Sequence, residues 1–260
     1  MRVLVTNDDG IHAPGLHHLA LALHIAGHEV VVAAPAVELS GSGTALGDLT
    51  DGHRIRYERV ELDGLTVPAY ALDAPPAMAG LCAAIGLFDL EPDVVLAGIN
   101  PGWNTGRSVL HSSTVGAALT AASAGLPAVA ISCGPEPGAR LDTAAAVAVL
   151  LLERHGPNLP AGVALNVNVP DLDLGALRGA AVVPLATRGI HSVRITRSAE
   201  FLEIRHRNLP GAGALAGDSA AVLDGIVAVT ALRPTFAEFV DTSATAVAAA
   251  LDVALTPAAV

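Results

Sequence analysis

The sequence predicts an α/β fold in which a parallel sheet is flanked by helices on both faces. Three observations predict it. Apolar runs alternate with stretches of helical periodicity, the runs lack the apolar–polar alternation of a half-exposed strand, and polar turn residues follow them. Strands buried on both faces are expected to be apolar throughout, and strand–helix alternation is typical of parallel sheets.

The first half of the chain supplies the elements of this core. Strands are expected at 2–6, 28–34, 93–99 and 128–132, with short alternating pieces at 53–58, 60–62 and 67–72. Helices are expected at 14–26, 75–86, 113–124 and 142–155. The first helix is typical of the set, because Leu16, Leu19 and Leu23 lie at helical spacing and Gly27 ends the pattern.

After Pro160 the pattern changes to short β segments. Strands are expected at 164–169, 181–186, 191–196, 200–206 and 226–232, with a helical turn at 218–224 and a terminal helix at 237–251. No linker or internal repeat separates two domains. We therefore expect one domain, 1–260, with a core of about 1–160 plus 226–232 and a β extension with a C-terminal arm over about 161–260.

Composition excludes a membrane-spanning or secreted protein. The chain is 52% hydrophobic, yet no apolar run reaches the roughly 18 residues needed to cross a bilayer. Met1 is followed directly by a strand-like segment without a signal-peptide pattern. The two cysteines, Cys82 and Cys133, have neither CxxC nor zinc spacing, so a reducing cytoplasm is the expected location.

Net charge limits the choice of partner. The formal charge is −11, and all 14 basic residues are arginines. This negative charge disfavours binding to a nucleic-acid polymer, because proteins bind such polymers largely by neutralising phosphates with basic side chains. A small phosphorylated substrate is not excluded, because backbone amides or a metal can hold one phosphate without basic side chains.

Polar loops follow three of the predicted core strands, at 7–10, 40–44 and 100–106. Ligands of an open parallel sheet bind beyond the carboxyl ends of the strands, so the three loops should converge. Their carboxylates, hydroxyls and amides are hard oxygen ligands, which suit Mg²⁺, Mn²⁺ or Ca²⁺ better than zinc.

The adjacent Asp8 and Asp9 carry the sharpest signal. Two neighbouring carboxylates repel each other, which raises one pKa unless a cation lies between them. The alternative is a solvated turn before a helix, where Asp and Asn are common.

The other polar segments each have two interpretations. The glycine loop at 40–43 misses the GxGxxG spacing and is either a phosphate loop or a flexible surface loop. Asn100 and Asn104 are either ligands or local hydrogen-bonding residues of a turn. Residues 111–114 open a helix and form either an anion site or an N-cap, or both.

Several motifs together resemble the SurE family, the survival-protein 5′/3′-nucleotidases. In chain order they are VLVTNDDGIHAPGL, SGSG, PDVVLAGINPGWNTG, LHSSTVGAALTAASAGLPAVAIS, LNVNVP and GDSAAVLDGIVAVTAL, ending at about Leu232. The resemblance implies a Rossmann-like α/β domain with a β-hairpin extension and a swapped C-terminal arm. It also implies a homodimer or homotetramer.

The resemblance further implies divalent-metal-dependent removal of phosphate from nucleoside monophosphates. The family's metal ligands correspond to Asp8, Asp9, Ser40 and Asn100, a choice that selects Ser40 over Ser42. The expected ion is one Mg²⁺ or Mn²⁺, or Ca²⁺ in a crystal. Asp8 and Asp9 are the catalytic candidates, with Asp8 either orienting and deprotonating the attacking water or acting only as a ligand.

The phosphate is expected against the start of the helix at 113–124. Ser112, Ser113 and Thr114, with nearby amides, are the candidates for cradling it. Asn104 and Gly41 are further candidate contacts in the neighbouring loops.

Departures from the family's pattern fall around this metal set. DAPPA at 73–77 replaces a GTPAD-like segment, Ser108 replaces an acidic residue, Ser113 replaces a glycine and Gly47 replaces a threonine. Metal binding is therefore expected, while substrate preference stays open. The alternatives are a phosphatase for another small phosphorylated metabolite or polyphosphate, and a non-catalytic metal- or nucleotide-binding homologue.

Overall fold

The computed structural model describes residues 1–88, 90–134, 139–208 and 215–234. Within these residues the strands are β1 Arg2–Thr6, β2 Glu29–Pro35, β3 Tyr57–Leu62, β4 Leu65–Leu72, β5 Val94–Pro101, β6 Ala128–Cys133, β7 Ala164–Asn168, β8 Ala180–Val182, β9 His191–Arg197, β10 Leu202–Asn208 and β11 Val227–Leu232. The α-helices are α1 Pro14–Ile25, α2 Pro76–Ala84, α3 Ser113–Ser123, α4 Leu141–His155 and α5 Gly217–Leu223. The terminal helix expected at 237–251 lies outside the described residues.

Nine of the described strands form one sheet in the order β3-β4-β2-β1-β5-β6-β7-β11-β8. The six strands from β4 to β7 run parallel, which confirms the predicted α/β class. The sheet is mixed rather than wholly parallel, because β3 and β11 are antiparallel to β4 and β7. The two-residue connection between β3 and β4 explains the first case, since so short a turn joins only antiparallel neighbours.

The later β segments divide between the main sheet and a hairpin. β7, β8 and β11 join the main sheet, whereas β9 and β10 pair only with each other. That antiparallel pair is the β-hairpin extension that the family resemblance implies. Residues 57–62 of the alternating pieces expected at 53–58 and 60–62 form the single strand β3, with an irregularity between Val60 and Leu62. Residues 53–56 are not in a strand, so the expected start at 53 was wrong.

Two apolar clusters enclose the sheet, one on each face. Val3 and Val5 of β1 belong to the cluster packed against α1 and α4, whereas Leu4 belongs to the cluster packed against α2 and α3. Successive side chains of a strand point to opposite faces, so both faces demand apolar residues. This double burial is the physical reason for the continuous apolar runs in the sequence.

Close backbone packing brings α1 against the end of β5. A Cβ atom at Gly15 would lie 2.0 Å from the carbonyl oxygen of Ile99, so only glycine fits there. The loop that precedes α1 and the loop that follows β5 are thereby held side by side. None of the described helices is long and apolar enough to cross a bilayer.

Candidate active site

The loops that follow β1, β2 and β5 converge on one cavity of about 390 Å³. Because these strands are parallel, their carboxyl ends lie at one edge of the sheet, as the sequence predicted. The cavity is lined by Asp8, Asp9, Glu38, Ser40, Gly41, Asn100, Pro101, Asn104, Ser108, His111 and Ser112.

Asp8 is the buried carboxylate of this cavity and is 3% exposed. Its Oδ1 accepts a hydrogen bond of 2.5 Å from the Thr114 hydroxyl on α3, and its carbonyl oxygen accepts one from the Leu39 amide. Burial raises the pKa of the Asp8 carboxyl, the Thr114 hydrogen bond opposes that rise, and the charge of Glu38 adds to it. A buried carboxylate in this setting is stabilised by a nearby cation.

The other predicted metal ligands line the same cavity. Asp9 is half-buried, and Ser40 is exposed, where its hydroxyl donates to Glu38 Oε1 at 3.2 Å. Asn100 donates through Nδ2 to the Gly102 carbonyl at 2.5 Å, an orientation that leaves the amide Oδ1 as its ligand atom. Two carboxylates, a hydroxyl and an amide oxygen suit Mg²⁺ or Mn²⁺.

The predicted metal-ligand set contains neutral oxygens as well as carboxylates. No group of three or more His, Cys, Asp or Glu side chains that could hold a metal ion is found within the described residues. The predicted donor set accordingly includes the neutral oxygens of Ser40 and Asn100 beside the paired aspartates. Glu38 lines the cavity too and was not identified from the sequence, although it stands only two residues before Ser40.

Ser113 fastens the glycine loop to α3. Its hydroxyl accepts hydrogen bonds from the Ser42 amide at 2.8 Å and the Ser42 hydroxyl at 2.9 Å, and donates to the Leu39 carbonyl at 3.0 Å. One turn later, a Cβ atom at Gly116 would lie 2.0 Å from the Gly43 carbonyl oxygen. The glycine loop therefore rests directly on the helix backbone.

The residues expected at the phosphate fall into two groups. Asn104, Ser112 and Gly41 line the cavity. Ser113 and Thr114 do not, because their hydroxyls bond the glycine loop and Asp8 instead. These two hydroxyls therefore bond within the fold, and the phosphate contacts expected of all five residues remain predictions.

Ser112 and Gly41 have the local geometry that such a contact requires. Ser112 is the N-cap of α3, and its hydroxyl accepts from the Val115 amide at 3.1 Å. Gly41 has φ +83°, and no atom lies within 4 Å of where its Cβ would be. The loop backbone is therefore open to a ligand at that point.

A buried amide network fixes Asn104. Its backbone amide donates to Asn168 Oδ1 at 2.8 Å. Its backbone carbonyl accepts from Asn166 Nδ2 at 2.8 Å and from Asn168 Nδ2 at 3.1 Å. Its own Nδ2 donates to the Ser132 hydroxyl at 2.9 Å. Asn166 and Asn168 are two apart on β7 and so share a face. That spacing is the only signal of their role in the sequence.

Asp218, at the start of α5, links the later half of the chain to the site. Its fully buried carboxylate accepts from the Gly106 amide at 3.0 Å, and from the Ala186 and Ser219 amides at 2.8 Å each. Gly106 follows the loop that carries Asn100 and Asn104. In the sequence, Asp218 stands within the motif GDSAAVLDGIVAVTAL, and its contact with Gly106 was not predicted.

Comparisons with known proteins find relatives over most of the chain. The family profile described as "Survival protein SurE" matches residues 3–192. The 5′-nucleotidase SurE of Methylococcus capsulatus is 40% identical over 238 residues, covering 90% of this chain and 91% of its own. The 5′-nucleotidase SurE of Xanthomonas euvesicatoria is 42% identical over 191 residues, covering 72% and 71%.

Among solved structures, the crystal structure of the Sure protein from Aquifex aeolicus matches with a TM-score of 0.76 at 27% identity. The match covers 98% of this chain and 99% of the other. It therefore extends over both the main sheet and the later β segments.

Proposed function

Because the chain belongs to the SurE family, we propose that it is a metal-dependent phosphomonoesterase that hydrolyses nucleoside 5′- and 3′-monophosphates to nucleoside and phosphate. The observation that carries the proposal is the convergence of Asp8, Asp9, Ser40 and Asn100 on one cavity beyond the carboxyl ends of β1, β2 and β5. The curated relatives with 40–42% identity carry the name 5′-nucleotidase.

These four residues are the proposed ligands of one Mg²⁺ or Mn²⁺ ion. When bound, such an ion neutralises charge on the phosphate oxygens and lowers the pKa of water. The cavity itself lacks positive charge to offset a phosphate, since the described residues that line it include Asp8, Asp9 and Glu38 and no arginine.

The chain's own groups orient the reactants. Asp8, held by Thr114, lies on the buried side of the cavity, where it orients the attacking water and accepts its proton. Asn104 and Ser112 hold the phosphate together with the open backbone at Gly41. Fixed polar groups of this kind act without reorganising during the reaction, which is how they favour the transition state.

The proposed cellular location and oligomeric state rest on the same family assignment. We propose a cytoplasmic homodimer or homotetramer that assembles through the C-terminal arm, most of which lies outside the described residues. Cys82 and Cys133 are both free thiols, which suits a reducing compartment.

Phosphate release from a panel of nucleoside 5′- and 3′-monophosphates, with Mg²⁺ or Mn²⁺, tests the proposed function. We expect activity in the wild type that a chelator abolishes and that Asp8→Asn reduces by at least about 100-fold. Asp93→Asn is the matched control, because Asp93 lies at the opposite, amino end of β1 and β5. Equal activity in wild type and Asp8→Asn would contradict the proposal.

Extending the panel to sugar phosphates and polyphosphate tests the substrate class. A higher kcat/KM on one of these than on every nucleotide would assign the site to another phosphorylated metabolite. Calorimetric binding of cation and nucleotide without phosphate release would instead indicate a non-catalytic homologue.

A further inference from the structure

We propose that His111 is the proton donor to the leaving nucleoside oxygen, an inference that rests on the proposed function. His111 lines the same cavity as Asp8. From the sequence, its segment 111–114 is interpreted only as an anion site or an N-cap, and no proton transfer is assigned to His111. Among the described residues that line this cavity, it is the one imidazole.

The chemistry requires such a donor. Water attacks phosphorus and forms a new P–O bond, while the ester P–O bond breaks and its electron pair passes to the nucleoside oxygen. A sugar alkoxide is far more basic than imidazole, so it leaves readily only as the alcohol. His111 gives its proton to this oxygen and becomes neutral, while Asp8 takes a proton from the attacking water. Solvent then carries one proton from Asp8 to His111, which restores both groups.

Most other donors of the cavity donate within the fold, although each asparagine keeps a second N–H, which an amide does not release near neutral pH. Side chains that donate elsewhere are Ser40 to Glu38, Ser108 to Thr105, Asn100 to Gly102 and Asn104 to Ser132. Ser112 keeps a hydroxyl proton, but an alcohol does not release a proton near neutral pH. An imidazolium is the side-chain acid suited to giving up a proton in this range.

The backbone fixes His111 beside the phosphate contacts. Its amide donates to the Ser108 carbonyl at 2.9 Å, and the Ser112 amide donates to the same carbonyl at 3.2 Å. This turn places His111 directly before the N-cap of α3, and the residue is exposed while lining the cavity.

The burial of the two groups fits an in-line displacement. The attacking and leaving oxygens lie on opposite sides of phosphorus in such a reaction. Asp8 is buried and His111 is exposed, so at His111 a nucleoside has room to extend and solvent can restore the imidazole proton.

Comparing two esters for His111→Gln tests the inference. A nucleoside 5′-monophosphate needs its leaving oxygen protonated, whereas p-nitrophenyl phosphate leaves as a stable phenolate. We expect kcat on the nucleotide to fall about 100-fold or more, while kcat on the aryl ester falls less than about threefold. His24→Gln, another exposed histidine placed on α1, is the control and should change neither rate.

Each other outcome has a distinct meaning. An equal loss on both esters would show that His111 only binds or positions the phosphate and would overturn the inference. An unchanged nucleotide rate in His111→Gln would overturn it as well, with the proposed function intact. A wild type that releases phosphate from neither ester would refute the proposed function itself, and the role of His111 with it.

Discussion

The candidate site has a buried wall and an exposed rim, and the two differ in how their polar groups are held. The buried wall consists of Asp8 with Thr114 and the network of Asn104, Asn166, Asn168 and Ser132, in which every side chain except that of Asn104, at 8%, is no more than 3% exposed. The exposed rim consists of Glu38, Ser40 and His111.

This difference teaches which residues hold the site and which serve its chemistry. Buried polar groups must be paired, because an unpaired one costs about 1–3 kcal/mol. The hydrogen bonds of the wall form on folding, although Asn166 Oδ1 has no partner among the described residues. Rim side chains are hydrated and remain able to exchange ligands or protons with solvent, so changing them should alter activity with little effect on stability.

Asp8→Asn should have the largest effect on activity. Within the buried wall, it should lower activity without lowering stability. We expect phosphate release to fall by about 10²- to 10⁴-fold. Burial raises the pKa of Asp8, so removing its charge should leave the free energy of unfolding without added cation unchanged or higher. Paired kinetic and denaturant measurements check this, and a parallel loss of both would contradict it.

Asn168→Ala should damage both properties. It leaves the buried amide of Asn104 without an acceptor, so we expect about 1–3 kcal/mol less stability and about 10- to 100-fold less activity. Denaturant melts and kcat/KM on a nucleotide measure the two effects. Val167→Ala, whose side chain lies in the apolar cluster on the other face of the sheet, should lose stability but retain activity per folded molecule.

Ser40→Ala and Ser42→Ala compare a side chain of the exposed rim with a side chain that anchors the same loop to α3. Ser40 lines the cavity and Ser42 bonds Ser113, so only Ser40→Ala should raise the cation concentration needed for half-maximal activity, by about tenfold. The free energy of unfolding should change by less than about 0.5 kcal/mol in Ser40→Ala. Cation titrations of both variants decide between them, and an equal shift would refute the choice of Ser40.

Asp93→Asn should give the smallest effect, because it lies outside both regions. The hydrogen bonds from the Arg2 guanidinium and the Arg2 amide hold the pKa of Asp93 below its usual value. Such a carboxylate stabilises the fold above its unfolded pKa of about 3.9, and this contribution is lost as the pH falls through the folded pKa.

Thermal melts at several pH values measure this difference. At pH 7 Asp93→Asn should be slightly less stable than the wild type, and the two should converge below about pH 4. Nucleotide hydrolysis should be unchanged. A stability difference that grows toward low pH would contradict the assignment.

The sequence predicted those parts of the site that depend on position along a strand. Asp8, Asp9 and Asn100 stand at strand ends, and the topology of a parallel sheet then brings them together. Ser40 required the family resemblance, because spacing alone does not distinguish it from Ser42.

The remaining parts depend on contacts between distant residues. Asn104 meets Asn166 across 62 positions, and Asp218 meets Gly106 across 112, which no local pattern reports. Ser113 is expected at the phosphate because hydroxyls and amides at a helix start form an anion site or an N-cap. Its hydrogen bonds to Ser42 and Leu39 depend on the packing of the glycine loop on α3, which no local pattern reports.

Anomalous diffraction from crystals soaked in Mn²⁺ tests the central claim most directly. The account predicts one strong manganese peak bonded to oxygen atoms of Asp8, Asp9, Ser40 and Asn100. The peak should vanish in Asp8→Asn and persist in Asp93→Asn. A peak elsewhere on the chain, or none at a Mn²⁺ concentration that supports phosphate release, would contradict the account.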